Sequence, residues 1–252
     1  MRYLFDHWPE IVERLQSADS VALFLDFDGT LARVRAHPDE AGLNNATRRA
    51  ITRLARNPRV RICVISGRKA DDVRIRTSVP GIRYLGLHGW DGDGRGPLNP
   101  ETRRALERAR QKVTKQVAPI HGVWVEDKGS VFAVHYRGAA NGDVGTARDA
   151  LLATMAPLST DFRIVANKYA WEVLPRTIGD KGTAVHRELK LFGRPDVPFY
   201  IGDDTTDEPA FAALPDGVTI RVGRRTLTRA KYQLRDPAEV RSFLEKLDME
   251  LS

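Results

Sequence analysis

The stretch VALFLDFDGTLARV, residues 21–34, joins an uninterrupted apolar run to two carboxylates, a glycine and a threonine. A short run that is apolar throughout predicts a strand of a parallel β-sheet, because helices then cover both faces of the strand. Asp26 and Asp28 stand where this strand ends, and open α/β sheets bind their ligands outside the carboxyl ends of the strands. Aspartate and glycine also form ordinary turns. The function of this pair therefore depends on what the other strand ends contribute.

The composition is typical of a globular protein of the cytoplasm. The chain has 252 residues, 42% of them hydrophobic, which suffices for one large domain or for a core with a smaller domain. Its one cysteine, Cys63, excludes an internal disulfide and suits a reducing compartment. No apolar run approaches the roughly 20 residues of a membrane span, and the first residues lack the apolar core of a signal peptide. We therefore expect a cytoplasmic monomer without membrane association.

The net charge of +7 is compatible with several anionic partners. These are nucleic acid, a membrane surface and a small phosphorylated substrate. The arginines are dispersed along predicted helices, as in TRRAITRLARNPR and ETRRALERARQK, without a dense basic block or a nucleic-acid-binding motif. This pattern favours a solvated surface, and no nucleic-acid partner is expected.

Strand-like and helix-like runs alternate in the first part of the chain. The strand VALFLDF is followed by a helix over residues 44–57, the strand VRICVI, a short helix after Arg68 and the strand IRYLGLHG. Such alternation predicts a parallel sheet. The pattern resumes with a helix from Lys181 and the strands PFYIGDD and GVTIRV.

Between these two parts, the alternation of strand-like and helix-like runs ends after the glycine and proline cluster at residues 88–100. Short alternating runs then come in pairs, GVWVEDK with VFAVHYR and FRIVANK with YAWEVLP, which predicts antiparallel pairing. We predict an α/β protein with a Rossmann-like parallel-sheet core, residues 1–98 and 179–252, and an inserted smaller α/β cap, residues 99–178.

Four segments at predicted strand or helix boundaries of the core carry polar residues whose chemical roles complement one another. Each segment alone is more often an ordinary turn or cap, but together and in this order they supply a nucleophile, phosphate ligands and metal ligands. The four segments are DFDGT from Asp26, SGR at residues 66–68, DKG with Lys181, and GDDTTDE with Asp203.

This ordered set resembles the haloacid-dehalogenase-like phosphatases. The resemblance implies that Asp26 attacks phosphorus and forms an aspartyl-phosphate, and that Asp28 serves as general acid and base. It also implies Mg²⁺, held by the carboxylates of Asp26 and Asp203 and by the backbone carbonyl of Asp28. A cation suits the chemistry, because a carboxylate that attacks a phosphate must overcome charge repulsion.

The same resemblance assigns the remaining core residues. Lys181 offers its positive charge to the transition state. Asp204 and Asp207 are expected near the metal. The sequence leaves open which of the two contacts the shell of groups around the metal ion. Four residues are expected to bind the phosphate group: Thr30, Ser66, Gly67 and Arg68.

The cap holds three charged residues whose positions in the strands suggest a role in substrate binding. Alternation along GVWVEDKG places Trp124, Glu126 and Lys128 on one face of a strand. Glu172 lies among apolar neighbours in YAWEVLP, which is unusual for a carboxylate unless it faces water or a polar ligand. Glu126, Lys128 and Glu172 together can bind the hydroxyls of a sugar, and an incidental salt-bridged surface is the alternative.

Over nearly the whole chain the sequence is similar to the trehalose-6-phosphate phosphatases. The resemblance implies hydrolysis of trehalose 6-phosphate to trehalose and phosphate, with Glu126, Lys128 and Glu172 on the disaccharide hydroxyls. Two alternatives stay open, namely a phosphatase of sucrose 6-phosphate or mannosyl-3-phosphoglycerate, and a non-catalytic domain that binds phosphate or nucleic acid. The matching segments are LDFDGTLARVRAHPDEAGL, SGR, LHGW, EDKG, VHYR, WEVLP, DKG and GDDTTDEPAF.

Overall fold

The computed structural model describes residues 1–35, 40–92, 94, 96–167, 169–224 and 227–252. Residues 36–39 of the motif LDFDGTLARVRAHPDEAGL, and residues 93 and 95 of the glycine and proline cluster, lie outside the described residues. The chain divides into two compact units. The core unit is Met1–Asp93 with Gly179–Ser252, and the cap unit is Gly94–Ile178.

The regular elements are numbered here in chain order. The strands are β1 (Arg2–Tyr3), β2 (Val21–Leu25), β3 (Val60–Ile65), β4 (Arg83–Leu85), β5 (Trp124–Asp127), β6 (Phe132–His135), β7 (Phe162–Asn167), β8 (Ala170–Pro175), β9 (Val197–Gly202), β10 (Val218–Val222) and β11 (Tyr232–Leu234). The α-helices are α1 (Trp8–Gln16), α2 (Asn45–Arg56), α3 (Ala70–Thr77), α4 (Pro100–Val117), α5 (Asn141–Met155), α6 (Lys181–Leu191), α7 (Glu208–Ala212) and α8 (Pro237–Leu251). Short 3₁₀ helices cover Leu4–His7, Leu87–Gly89, Ala156–Leu158 and Thr205–Asp207.

The core unit is built on a parallel sheet of seven strands in the order β1-β11-β10-β9-β2-β3-β4. Every pairing in this sheet is parallel. Strand β2 pairs with β3 on one side and β9 on the other, and all five of its residues are fully buried. The structure thus confirms the predicted α/β fold with a parallel sheet.

Alternate residues of β2 belong to two separate hydrophobic clusters, one on each face of the sheet. Val21, Leu23 and Leu25 pack in a cluster that includes residues of α1, α2 and α8. Ala22 and Phe24 pack in a second cluster that includes residues of α6 and α7. Because side chains alternate across a strand, both faces of β2 are covered, which explains its continuously apolar sequence.

The cap unit contains an antiparallel sheet of four strands in the order β5-β6-β8-β7. Helix α4 packs against α5 and β5, and its buried residues recur at helical spacing: Leu106, Ala109, Val113 and Val117. The antiparallel pairing predicted from the two pairs of short runs is confirmed. Among the described residues, no helix is both long enough and apolar enough to cross a membrane.

Candidate active site

Three carboxylates meet at the carboxyl edge of the core sheet. Asp26 directly follows β2, and its backbone N–H donates to the carbonyl of Ile201 on β9 (2.9 Å). Asp203 directly follows β9, and Asp207 closes the 3₁₀ helix that comes next. One oxygen from each of the three carboxylates lies within 4.8 Å of the other two. Adjacent parallel strands therefore build an acid cluster, which we define as Asp26, Asp203 and Asp207.

Lys181 supplies the positive charge within this cluster. It is the first residue of α6, whose N-cap Asp180 accepts a hydrogen bond from the backbone of Thr183 (2.8 Å). The Lys181 Nζ donates to Asp26 Oδ1 (2.6 Å) and to Asp207 Oδ1 (2.7 Å). Burial lowers the pKa of Lys181, but the two carboxylates outweigh burial and raise the pKa above its ordinary value. Lys181 is therefore charged and holds two acids of the cluster in place.

The charge and the donor atoms of the acid cluster fit a divalent cation. Burial raises the pKa of Asp26 well above its ordinary value, and Asp207 and Asp203 add to the rise, while Lys181 opposes it. When all three carboxylates are ionised, one ammonium leaves an excess of two negative charges around the buried Asp26 and Asp207, which is costly unless a cation balances them. Carboxylate oxygens are also the ligands that hard divalent cations prefer.

Asp207 and Asp204 have different roles, a question that the sequence left open. Asp207 is fully buried, and its Oδ1 accepts from Lys181 and from the hydroxyl of Tyr200 (2.7 Å). Its Oδ2 accepts from the backbone N–H of Asp204 (2.8 Å). The side chain of Asp204 instead caps the 3₁₀ helix by accepting from Thr205 N (2.7 Å). Asp207 thus orders the cluster, and Asp204 shapes the loop.

Two glycines permit the close approach of the loops that carry the acids. Gly29 has a φ of +86°, and a Cβ there would lie 2.1 Å from Asp203 Oδ2. A Cβ at Gly202 would lie 2.2 Å from Asp207 Cγ. Any larger residue at either position would displace a carboxylate of the cluster, so both glycines are needed for this geometry.

Asp28 is oriented by Arg68 through two hydrogen bonds. Arg68 Nε donates to Asp28 Oδ2 (2.6 Å) and Nη2 donates to Oδ1 (2.8 Å), while Nη1 donates to Asp72 (3.0 Å). Burial lowers the pKa of Arg68, yet the two aspartates raise it above its ordinary value. The sequence placed Arg68 among the phosphate ligands. In the structure its guanidinium holds the partly exposed carboxylate of Asp28.

Two hydroxyl residues lie at the ends of β2 and β3. The Thr30 hydroxyl is fully buried without a hydrogen-bond partner, so it retains a donor for a ligand. The Ser66 Oγ accepts from the backbone N–H of Arg68 (3.2 Å), across Gly67. Both hydroxyls thus stand at the carboxyl edge where the sequence predicted phosphate binding.

In the cap unit, the structure brings Glu126, Lys128 and Glu172 together. The Lys128 Nζ donates to Glu172 Oε1 (2.5 Å) and lies 3.8 Å from Glu126 Oε2. Glu126 on β5 and Glu172 on β8 both pair with Ala133 of the intervening strand β6. The small side chain of Ala133 leaves room between the two glutamates, so the three charged groups form one polar patch on the sheet. We call Glu126, Lys128 and Glu172 the cap triad.

The cap triad has further partners that the sequence did not indicate. Asn167 Nδ2 donates to Glu172 Oε2 (2.6 Å), and His135 Nε2 lies 2.8 Å from Glu126 Oε2. The Trp124 ring stacks on the His135 ring at 4.1 Å. Burial acts to raise the pKa of Glu126, but the contact with His135 and the charge of Lys128 outweigh it and lower the pKa. Glu126 is therefore held as a carboxylate.

Two core residues close to the acid cluster were also missed from the sequence. Tyr200 on β9 is fully buried and bonds Asp207. Arg221 on β10 is buried and donates to the carbonyls of Asp203 and Asp204. The signal in the sequence is weak: a tyrosine in PFYIG, and an arginine beside a threonine in VTIRV, within mainly apolar strands.

A cavity of about 470 Å³ lies in the cap unit, lined by the first half of α4 and by the loop after β5. None of the predicted site residues lines it. The polar groups that chemistry requires lie in the acid cluster of the core unit and, separately, in the cap triad of the cap unit.

A parallel sheet that presents Asp26 at the carboxyl end of the central strand β2, beside two further carboxylates, is the arrangement expected from the resemblance to the haloacid-dehalogenase-like phosphatases. Comparison with known families is more specific. The model of the trehalose-phosphatase family matches residues 24–238. The chain therefore belongs to the trehalose-phosphatase family, as the sequence motifs predicted.

Curated relatives support this membership. The chain is 36% identical over 264 aligned positions to the trehalose-phosphate phosphatase of Mycobacterium tuberculosis (strain ATCC 25618 / H37Rv), covering 96% of this chain and 66% of the relative. It is 34% identical to the trehalose-phosphate phosphatase of Mycobacterium ulcerans (strain Agy99), covering 97% of this chain and 67% of the relative. The chain thus spans about two thirds of the length of these relatives.

Solved structures show the same fold. The C-terminal domain of trehalose-6-phosphate phosphatase from C. albicans superposes with a TM-score of 0.82 at 20% identity, covering 96% of both chains. Trehalose-6-phosphate phosphatase from Aspergillus fumigatus superposes with a TM-score of 0.66 at 22% identity, covering 96% of this chain and 97% of that chain. At these identities the likeness concerns the fold alone.

Proposed function

We propose that this protein hydrolyses trehalose 6-phosphate to trehalose and inorganic phosphate, with Asp26 as the nucleophile. The observation that carries the proposal is the placement of Asp26, which is buried at a strand end, bonded to Lys181 and adjacent to two further carboxylates. Membership of the trehalose-phosphatase family and the names of the relatives support the choice of substrate.

In the first step, a carboxylate oxygen of Asp26 attacks phosphorus and the bond from phosphorus to the sugar oxygen breaks. Asp28 donates its proton to the departing sugar oxygen, which leaves as the hydroxyl of trehalose. The two hydrogen bonds from Arg68 orient Asp28 as a carboxylate, and one of them must open when Asp28 carries the proton that it donates. We therefore assign Arg68 to the positioning of the general acid.

In the second step, water attacks phosphorus of the aspartyl-phosphate and the bond to Asp26 breaks. The Asp28 carboxylate accepts the proton of that water, and phosphate leaves with Asp26 restored. Asp28 is more exposed than Asp26, with 39% of its side chain accessible. That exposure suits a group that exchanges a proton with a sugar oxygen and then with water.

We propose Mg²⁺ as the cation, held by Asp26 and Asp203 and, by the family resemblance, by the backbone carbonyl of Asp28. When bound, Mg²⁺ supplies charge neutralisation between the attacking carboxylate and the phosphate. Lys181 neutralises part of the same charge from within the acid cluster, and Asp207 keeps Lys181 directed at Asp26.

We propose that Thr30, Ser66 and Gly67 bind the phosphate oxygens. The unpartnered hydroxyl of Thr30 supports this assignment, because a buried donor without a partner is costly unless a ligand accepts from it. Ser66 and Gly67 follow β3, whose carboxyl end lies beside that of β2. The phosphate would thus be bound by groups from two neighbouring strands.

We propose that the cap triad binds the hydroxyls of the disaccharide. Lys128 balances one of the two glutamates, so the triad keeps one negative charge and offers fixed acceptors and a donor without attracting a second phosphate. Glu172 and Glu126 are already held by Asn167 and His135, and Lys128 by Glu172, so these side chains lose little freedom when a sugar binds. The alternative, an incidental salt-bridged surface, would leave its carboxylates exposed to solvent. Glu172 is instead only 1% exposed.

The test is phosphate release from trehalose 6-phosphate, with Mg²⁺ or with chelator. Sucrose 6-phosphate, mannosyl-3-phosphoglycerate and glucose 6-phosphate serve as competing substrates at matched concentrations. We expect a Mg²⁺-dependent preference for trehalose 6-phosphate. A preference for another ester would refute the sugar assignment, and no release from any ester would refute the enzymatic function in favour of a binding domain.

We also propose that the protein acts in the cytoplasm, as a monomer, on a small sugar phosphate and without nucleic acid. The single thiol, Cys63, supports a reducing compartment because it is free and buried. Light scattering would report the molar mass, and a mass of two chains or more would contradict the monomer.

A further inference from the structure

Strand β10 carries an arginine where a buried parallel strand favours apolar residues. Val218, Ile220 and Val222 belong to the hydrophobic cluster on one face of the sheet, and alternation directs Arg221 to the other face. Only 6% of Arg221 is exposed. A buried charge in a strand is unfavourable unless it is well paired, so its presence calls for a specific role.

The partners of Arg221 are backbone atoms of the loop that carries Asp203. Arg221 pairs with Gly202 in the register of β10 and β9, which places its side chain beside the end of β9. Its Nη2 donates to the carbonyl of Asp203, and its Nη1 donates to the carbonyl of Asp204 (3.1 Å). The guanidinium therefore spans two successive carbonyls directly behind the acid cluster.

A carboxylate balances the charge of Arg221 and extends the connection. Nη1 of Arg221 lies 3.4 Å from Glu208 Oε1, at the start of α7. Glu208 Oε2 accepts from the backbone N–H of Arg229, ahead of β11 (2.7 Å). Arg221 and Glu208 thus connect β10, α7 and the segment before β11 to the loop of Asp203.

We propose that Arg221 is a positioning residue that sets the divalent-cation affinity of the acid cluster. The planar guanidinium holds the two carbonyls in fixed positions. The backbone of the loop is thereby fixed, and with it the orientation of the Asp203 side chain. A ligand that is already held in its binding direction loses less freedom when the cation binds. The inference rests on the proposed function, since it concerns the cation site that the phosphatase mechanism requires.

The experiment measures Mg²⁺ and Mn²⁺ binding calorimetrically, without substrate, for the wild-type chain and for Arg221→Met. Methionine retains the length and the apolar part of the side chain but cannot donate. We expect affinity to fall about 10- to 100-fold, the range for loss of a group that orients a metal ligand. At saturating Mg²⁺ we expect kcat to approach the wild-type value.

Arg59→Met is the matched control. Arg59 also donates to two backbone carbonyls of the core unit, those of Leu15 and Ala18, but it lies at the amino end of β3, away from the acid cluster. We expect its cation affinity to equal that of the wild type. Equal loss of affinity in both variants would show a general effect on the fold and would overturn the proposal.

Arg221→Lys is measured beside Arg221→Met and keeps the proposal testable if the methionine variant does not fold. A single ammonium cannot bridge both carbonyls in the plane of a guanidinium, so we expect weaker cation binding than in the wild type. Unchanged affinity in a folded Arg221 variant overturns the inference. If the wild-type chain itself binds neither cation, the proposed metal site fails instead, which separates the two failures.

Discussion

Both units place a lysine between two carboxylates, but they do so at different parts of a sheet. Lys181 lies 2.6 and 2.7 Å from its acids and its side chain is 3% exposed, whereas Lys128 lies 2.5 and 3.8 Å from its acids and its side chain is 11% exposed. The core acids follow strand ends, where adjacent loops converge and a third carboxylate joins them. The acids of the cap triad lie within strands, on the face of a sheet.

This difference matches the two roles proposed for the two clusters. Converging strand ends concentrate negative charge, which suits a cation and a phosphate. A sheet face spreads its polar groups at the spacing of neighbouring strands, which suits the separated hydroxyls of a sugar. We therefore expect changes in the core to lower kcat and changes in the cap triad to raise KM.

The largest expected effect comes from Asp26→Asn. The amide has nearly the same shape but cannot attack phosphorus, so kcat should fall by at least about 10⁴-fold, as when other enzymes lose a nucleophile. Single-turnover phosphate release from trehalose 6-phosphate measures the effect. Circular dichroism serves as the control for the fold, and a folded Asp26→Asn enzyme with kcat near wild type would contradict covalent catalysis by Asp26.

The comparison of the two lysines is tested by Lys181→Met and Lys128→Met. In the proposed mechanism Lys181 stabilises charge that develops at the phosphate, so we expect kcat to fall roughly 10³-fold in its variant. The proposed role of Lys128 is to donate hydrogen bonds to the bound sugar, so we expect KM to rise roughly 10- to 100-fold with kcat little changed. Steady-state kinetics on trehalose 6-phosphate separates the two parameters.

Glucose 6-phosphate provides a second readout for this pair, because it offers fewer sugar hydroxyls. The Lys128→Met variant should lose most of the preference for trehalose 6-phosphate over glucose 6-phosphate. Lys181→Met should lower the rates on both esters alike. If Lys128→Met instead lowered kcat as strongly as Lys181→Met, the proposal that the core unit carries the chemistry and the cap triad binds the sugar would be wrong.

A smaller effect is expected for the pH dependence of cation binding. The raised pKa of Asp26 means that a proton competes with Mg²⁺ for its carboxylate at a higher pH than at an ordinary aspartate. Below that pKa, affinity should fall about tenfold for each pH unit, since one proton is displaced per cation. Calorimetric titrations in a pH series check this, and an affinity that is constant down to about pH 4, the ordinary aspartate value, would contradict it.

The smallest effect is expected for a helix cap that is remote in sequence from both sites. The Asp236 side chain accepts from the backbone N–H groups of Ala238 (2.8 Å) and Glu239 (3.1 Å) at the start of α8. Asp236→Ala should lower the free energy of unfolding by about 1 kcal/mol, the usual value of an N-cap. Denaturant unfolding measures this loss. A change in kcat or KM would show that α8 influences the active site.

The sequence predicted the features that depend on pattern and chain order. The apolar run before Asp26 indicated the buried strand β2, and the strand ends indicated that Asp26 and Asp203 would meet. The edge strand β1 and its neighbour β11 were missed because runs of two and three residues are too short to show periodicity. Their pairing depends on a parallel register between the two ends of the chain.

Contacts between side chains could be predicted only for residues that follow neighbouring strand ends or that lie on the same face of a strand. Strand alternation put Glu126 and Lys128 on one face, and Glu172 was added because a carboxylate among apolar neighbours is unusual; the structure brings the three side chains together. The pairing of Arg68 with Asp28 was not predicted, because an arginine beside a phosphate site can bind either the phosphate or a nearby carboxylate. Arg221 was missed since its partners are backbone carbonyls of a loop, which leave no trace in the residue pattern.

The most direct test of the account is to trap the phosphoryl group on the protein. The Asp28→Asn enzyme is mixed with trehalose 6-phosphate and Mg²⁺, quenched in acid and analysed by intact mass spectrometry and peptide mapping. In the proposed mechanism Asp28 activates the water of the second step, so the variant should accumulate one phosphoryl group on Asp26, and Asp26→Asn should accumulate none. Phosphate release without any phosphorylated protein, or a phosphoryl group on another residue, would contradict the account.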